Sequence, residues 1–159
     1  MLGWALAVHA EIRWLEGQTR PLGTEAALIQ SFTDRSQSYL YDQALAIIAF
    51  TRAGEHAKAK KLVHALQQLQ NSDGTWYFSY YLDGKSPHPE EGDMRPHGAI
   101  AWAALAILTY EKAAKDQSYQ NVWKNTLTHL EKNIVFIPRL KQHGLVFSSV
   151  DNKKTKWDE

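Results

Sequence analysis

Carboxylates, aromatic rings and histidines are the side chains of this sequence whose chemistry could act on a ligand. Asp42 lies beside Tyr39 and Tyr41 at the start of a predicted helix, where a carboxylate interacts favourably with the helix dipole. Cleavage of a sugar bond usually needs two carboxyl groups about 5 to 9.5 Å apart, one as acid and one as base or nucleophile. Asp42 is our first catalytic candidate, and the alternative is that it only holds neighbouring backbone at the helix start.

The second carboxylate has two possible sources. Glu90, Glu91 and Asp93 lie in a long loop before Pro96, and Asp151 lies near the C-terminal end of the sequence. A charged loop is usually solvated, so each of these residues has a simple alternative explanation. We take Asp151 as the second catalytic candidate and Glu91 as a candidate substrate contact.

Aromatic side chains are crowded into the same long loop. Flat rings stack on the faces of sugar rings, and their polar atoms can bond to sugar hydroxyls. We therefore expect Tyr41, Trp76, Tyr80 and Tyr81 to bind substrate, although Trp76 could instead pack beneath its own turn.

His97, in the first turn of a predicted helix, is expected to offer a hydrogen-bond donor to the ligand. Together with His88 and the loop carboxylates it matches no compact metal-binding spacing, so we expect no metal and no cofactor. No phosphate-binding loop, nucleophile elbow or zinc-protease motif occurs, and no aspartate-rich diphosphate motif supports prenyl transfer.

Helices must position these residues, because apolar residues recur at helical rather than strand spacing. The segments 39–52 and 96–114 are apolar on all sides, which predicts inner helices, with Trp102 in the core. The segments 56–70 and 118–134 are apolar on one side only, which predicts outer helices. Residues 1–16 and 24–32 are a possible third pair.

Loop lengths predict where the site lies. The connections from inner to outer helices are short, whereas 33–38 and 71–95 are longer and enter the inner helices. Antiparallel hairpins place these longer loops at one end of the assembly. A weak β-hairpin around Asp151 and Asn152 is expected at the same end.

Three short motifs carry a resemblance to a known superfamily. The stretch from Gln70 through Gly74 to Trp76 resembles the glutamine-to-glycine-X-tryptophan turn of triterpene cyclases and related toroids. The opening Tyr41-Asp42-Gln43-Ala44-Leu45 resembles that of bacterial glycosidase-like toroid proteins, and the segment 144–157 is similar to a hairpin in the same group. Together they cover about residues 38–157.

The resemblance to α/α toroids implies one all-α domain over residues 1–159, an arc of about three antiparallel hairpins with a small C-terminal β-hairpin. Because a full toroid has about six hairpins, the ring would be completed by self-association or by a missing remainder. The implied function is that of a carbohydrate-active protein of the six-hairpin glycosidase type, a hydrolase if it is active. The alternatives are a non-catalytic glycan- or protein-binding module and an isoprenoid-cyclase-like toroid.

Composition restricts the remaining functional classes. The 159 residues carry 18 basic and 17 acidic side chains, a net charge of +1, so no global field attracts nucleic acid or anionic membranes. The absence of cysteine excludes thiolate ligands and nucleophiles but leaves the compartment open. No signal peptide or membrane span is expected, because the apolar start at residues 1–8 has no preceding basic segment.

Overall fold

A computed structural model of the chain describes residues 12–84, 87, 94–135 and 145–146. Helices and short antiparallel strands alternate along it. In chain order the elements are α1 (residues 12–18), β1 (Thr19–Leu22), β2 (Ala26–Ile29), β3 (Gln37–Tyr39), α2 (Leu40–Arg52), α3 (His56–Leu69), β4 (Ser79–Tyr81), α4 (His97–Ala114), α5 (Gln120–Lys132), β5 (Ile134–Val135) and β6 (Leu145–Val146).

Four helices build the main layers, and they begin and end within two residues of the predicted bounds. Helices α2 and α4 pack side by side, α3 packs on α2, and α5 packs on α4. Ile47, Phe50 and Ile100 are fully buried where these helices meet. Helix α5 buries only Val122 and Thr126 among its residues, so it is an amphipathic cover rather than a core helix.

The prediction of an all-α fold is wrong. Three two-stranded antiparallel sheets occur in the described part of the chain, pairing β1 with β2, β3 with β4 and β5 with β6. The fold is therefore a mixture of helices and small sheets. Strands of two to four residues are too short for alternating hydrophobicity to predict them.

The helix expected over residues 24–32 is replaced by strand β2, whose four residues are all buried. A short apolar run of this kind cannot be distinguished from a buried helix by periodicity alone. Gln43 of α2 fixes the strand in place. Its Oε1 accepts a hydrogen bond from the Ile29 N–H at 2.8 Å, and its Nε2 donates to the Ala27 carbonyl at 3.0 Å.

The turn after α3 ties three elements together. Trp76 is fully buried and its Nε1 donates to the Leu66 carbonyl at 2.7 Å, so the ring packs back on the helix that precedes it. Gln70 Nε2 donates to the Val122 carbonyl of α5 at 2.9 Å. Gly74, with φ of +85°, lies against the α5 backbone near Asn125. The turn thus docks α3 against α5.

The C-terminal strands differ from the expected hairpin. Val135 and Leu145 are paired in the β5–β6 sheet, whereas the expected turn at Asp151 and Asn152 lies outside the described residues. No helix in the described ranges is long and apolar enough to cross a membrane.

Candidate functional site

The loop-rich end of α2 and α4 contains a cavity of about 490 Å³. Its walls meet because the Leu40 N–H, at the start of α2, donates to the Phe78 carbonyl at 2.8 Å beside strand β4. The Phe78 N–H in turn donates to the Met94 carbonyl at 2.8 Å, just before α4. The cavity, which we call the aromatic cavity, is lined by Phe32, Tyr39, Tyr41, Asp42, Phe78, Pro96, Gly98, Ala99 and Trp102.

Five of the residues that line this cavity are aromatic, and they form two groups. Tyr39 packs edge-on against Phe32 and Phe78, with ring centroids 5.8 and 5.0 Å apart. Tyr41 and Trp102 form a second edge-to-face pair at 5.7 Å. Edge-to-face packing holds rings rigidly, so the wall is preorganised for a flat ligand.

Asp42 is the only acidic side chain among the described residues of the cavity wall. It lies in the first turn of α2, is half-buried, and forms no hydrogen bond or ion pair with any described residue. The Tyr41 hydroxyl and the Trp102 indole N–H also lack a partner among the described residues. Three residues of the cavity wall therefore carry a polar group that is available to a ligand: the Asp42 carboxylate, the Tyr41 hydroxyl and the Trp102 N–H.

Other candidate binding residues lie away from this cavity. Trp76 is sealed in the core, and Tyr80 is buried, its hydroxyl accepting a hydrogen bond from the Tyr77 N–H at 2.9 Å. Burial raises the pKa of the Tyr80 phenol well above its usual value. Tyr81 is exposed on β4 and lines no described cavity. Trp76 and Tyr80 therefore do not face a ligand, whereas substrate binding by the exposed Tyr81 stays a prediction.

His97 begins α4 directly behind the cavity wall formed by Pro96 and Gly98, and it is only 4% exposed. Its Nε2 lies 3.3 Å from Nε2 of His129 on α5. Asn133 Nδ2 lies 3.4 Å from the same His129 atom. His97 therefore supports the wall from behind instead of reaching into the cavity.

Burial and neighbouring charged groups lower the pKa of His129. Burial is the main cause that lowers the pKa of His129, and the nearby His97 and Arg95 lower it further. Asp73 opposes them, because its carboxylate attracts a proton and its backbone carbonyl accepts a hydrogen bond from the ring.

We expect acid to destabilise the fold through His129. The unfolded histidine binds a proton below about pH 6.5, whereas the folded one resists protonation, so stability falls as the pH drops through this value. Urea unfolding at pH 7.5 and 5.5 measures the free energy of unfolding. This free energy should fall less on acidification in His129→Gln than in the wild type. His64→Gln, which removes a histidine facing Tyr119 on another surface, is the control and should retain the wild-type loss. If the free energy of unfolding fell equally on acidification in all three proteins, His129 would not be the source of the acid sensitivity.

Two candidate residues, Glu91 and Asp151, lie outside the described residues. Among the residues that are described, no three side chains of His, Asp or Glu lie close enough together to hold a metal ion.

The structure adds Phe32, Tyr39, Phe78 and Trp102 to the candidate site. Trp102 was expected in the core, but it is 38% exposed. The relevant signal is its position four residues after Gly98, on the opposite side of α4 from the buried Ile100, Ala104 and Ile107. In a helix that is apolar on all sides, this spacing is difficult to detect.

No protein-family model matches the chain, and no curated protein matches it significantly. Solved structures do match. The fold is similar to that of endoglucanase Cel10, a family 8 glycosyl hydrolase from Klebsiella pneumoniae, with a TM-score of 0.69 and 18% sequence identity. The match covers 87% of this chain and 43% of the endoglucanase.

At this identity the similarity shows the fold alone, which is related to the α/α-toroid fold of that endoglucanase. The chain spans less than half the length of the endoglucanase. Leu45, Leu105 and Leu108 are exposed on α2 and α4. That a second copy or a remainder of the toroid completes the ring stays a prediction.

Proposed function

We propose that the aromatic cavity binds a carbohydrate and that Asp42 acts on it as a catalytic carboxylate. The observation that carries this proposal is an unengaged carboxylate in a wall of five aromatic rings. Aromatic rings stack on the apolar faces of sugars, while a carboxylate accepts hydrogen bonds from their hydroxyls. The similarity to a glycosyl hydrolase supports the same class of ligand.

Asp42 is suited to the role of base rather than acid. The N-terminus of α2 carries a partial positive charge, which favours an anion in the first helical turn. A base of this kind removes a proton from the attacking water, while a second carboxyl group protonates the leaving oxygen. Asp151 remains our proposal for that second group and Glu91 our proposed substrate contact, whereas His97 positions the cavity wall without touching the ligand.

A non-catalytic glycan-binding module is the second proposal. It is favoured by the fact that Asp42 is the single carboxylate in the described wall, since cleavage needs two. Both proposals require the same ligand class and the same cavity.

Trp102→Ala tests the ligand class. Because the indole ring is a main part of the aromatic wall, we expect its removal to weaken oligosaccharide binding about tenfold. The measurement is calorimetry with soluble oligosaccharides of glucose, xylose, mannose and N-acetylglucosamine.

Leu105→Ala is the matched control, because Leu105 is exposed on the same helix but does not line the cavity. This variant should bind as the wild type does. If the wild-type chain bound none of these sugars, or if both variants bound equally well, the proposed function would be wrong.

A further inference from the structure

A second cavity of about 280 Å³ shares the wall residue Asp42 with the aromatic cavity. We call it the α1 cavity, because Trp14 and Leu15 of α1 form one of its walls. Strand β2 and the later turns of α2 form the others. Its lining consists of Trp14, Leu15, Ile29, Gln30, Ser31, Asp42, Leu45, Ala46 and Ala49.

Asp42 is the one described residue that lines both cavities. The aromatic cavity extends from it towards the start of α4, whereas the α1 cavity extends along α2 towards Ala49. The two cavities therefore share Asp42 as a common wall residue, so a ligand longer than one ring would pass this residue in reaching from one to the other.

The α1 cavity repeats the chemistry of the aromatic cavity with different residues. Trp14 is 59% exposed and provides an accessible ring. Gln30 Nε2 donates to the Arg35 carbonyl at 3.1 Å. The Oε1 of the same side chain accepts no hydrogen bond from the described residues and can accept one from a ligand. Ser31 Oγ accepts a hydrogen bond from the Tyr39 N–H at 2.8 Å and keeps its own O–H to donate.

We infer that the α1 cavity binds a second sugar ring of the same glycan, so that the ligand is a chain of at least two rings crossing Asp42. A stacking surface together with an acceptor at Gln30 and a donor at Ser31 matches a polyhydroxylated ring. A purely apolar ligand would desolvate the Gln30 Oε1, the Ser31 O–H and the Asp42 carboxylate without giving them a partner. The inference rests on the proposed function, because it places the first ring in the aromatic cavity.

The test is the dependence of affinity on oligosaccharide length. The wild-type chain is titrated by calorimetry with oligomers of one to six units of the sugar that it binds best. Affinity should rise at least tenfold from the monosaccharide to the oligomers. In Trp14→Ala this rise should be lost. The variant should bind the longer oligomers about tenfold more weakly than the wild type does, while its affinity for the monosaccharide is unchanged. Trp14→Phe keeps an aromatic ring and should restore most of the rise.

Trp102→Ala distinguishes the inference from the proposed function. It should weaken binding at every length, because it removes part of the first cavity. If Trp14→Ala bound all lengths as the wild type does, while Trp102→Ala bound them weakly, the inference would be overturned and the proposed function would stand. If the wild type bound no oligomer of any sugar tested, both would be overturned. Trp14 is largely exposed, so its replacement should not disturb folding.

Discussion

Asp42→Asn is expected to abolish turnover of a bound oligosaccharide while leaving its binding nearly intact. Asparagine keeps the size and much of the hydrogen bonding of aspartate but cannot take a proton from water. General base catalysis contributes about 10²- to 10⁴-fold, so we expect the rate of release of new reducing ends to fall at least about 100-fold. Calorimetry on the same variant should show a change in affinity of only a few-fold.

Asp34→Asn provides the matched control. Asp34 is an exposed carboxylate in the loop before β3 and lines neither described cavity, so its replacement should leave turnover unchanged. Wild-type turnover in Asp42→Asn would contradict the catalytic role. Binding without any release of reducing ends by the wild-type chain would instead support the glycan-binding alternative.

Among the described glycines, Gly74 is the one at which an added methyl group, as in Gly74→Ala, is expected to cause the largest loss of stability. A Cβ atom at this position would lie 2.5 Å from the Asn125 carbonyl oxygen and 2.7 Å from its carbon. Both are backbone atoms of α5, so neither can move without displacing the helix. The φ of +85° adds strain for any residue with a side chain. Together we expect a loss of about 3 to 5 kcal/mol in the free energy of unfolding.

Gly54→Ala separates the two causes of that loss. Gly54 has a similar φ of +79°, but a Cβ atom there would meet nothing within 4 Å. Urea unfolding should therefore show a loss of only about 1 to 2 kcal/mol from backbone strain. Equal losses in the two variants would mean that α5 moves to accommodate the methyl group.

The sequence was sufficient to locate α2, α3, α4 and α5 because their signals are local. Gly54 ends α2 with a positive φ, and Lys115 ends α4 in the left-handed conformation. Apolar residues at helical spacing mark the segments between such ends. The placement of Asp42 and Tyr41 in a cavity follows from the same reasoning, since both lie in the first turn of α2.

The strands and much of the cavity wall could not be predicted from local signals. Strand β4 pairs with β3, so Tyr80 lies opposite Ser38. Nothing in either three-residue segment specifies this partner. The aromatic loop was expected to present Trp76 and Tyr80 to a ligand, but the turn at Gly74 directs Trp76 into the core.

The pairing of β3 with β4 has a consequence for the order in which the molecule assembles. The Nε2 of Gln37 donates to the Ser79 hydroxyl at 3.2 Å across 42 positions of chain. Helices α2 and α3, joined by a short turn, need only local contacts, whereas this sheet requires closure of a long loop. Because Tyr39 and Phe78 reach the aromatic cavity only when the loop is closed, the helical hairpin can form before the cavity exists.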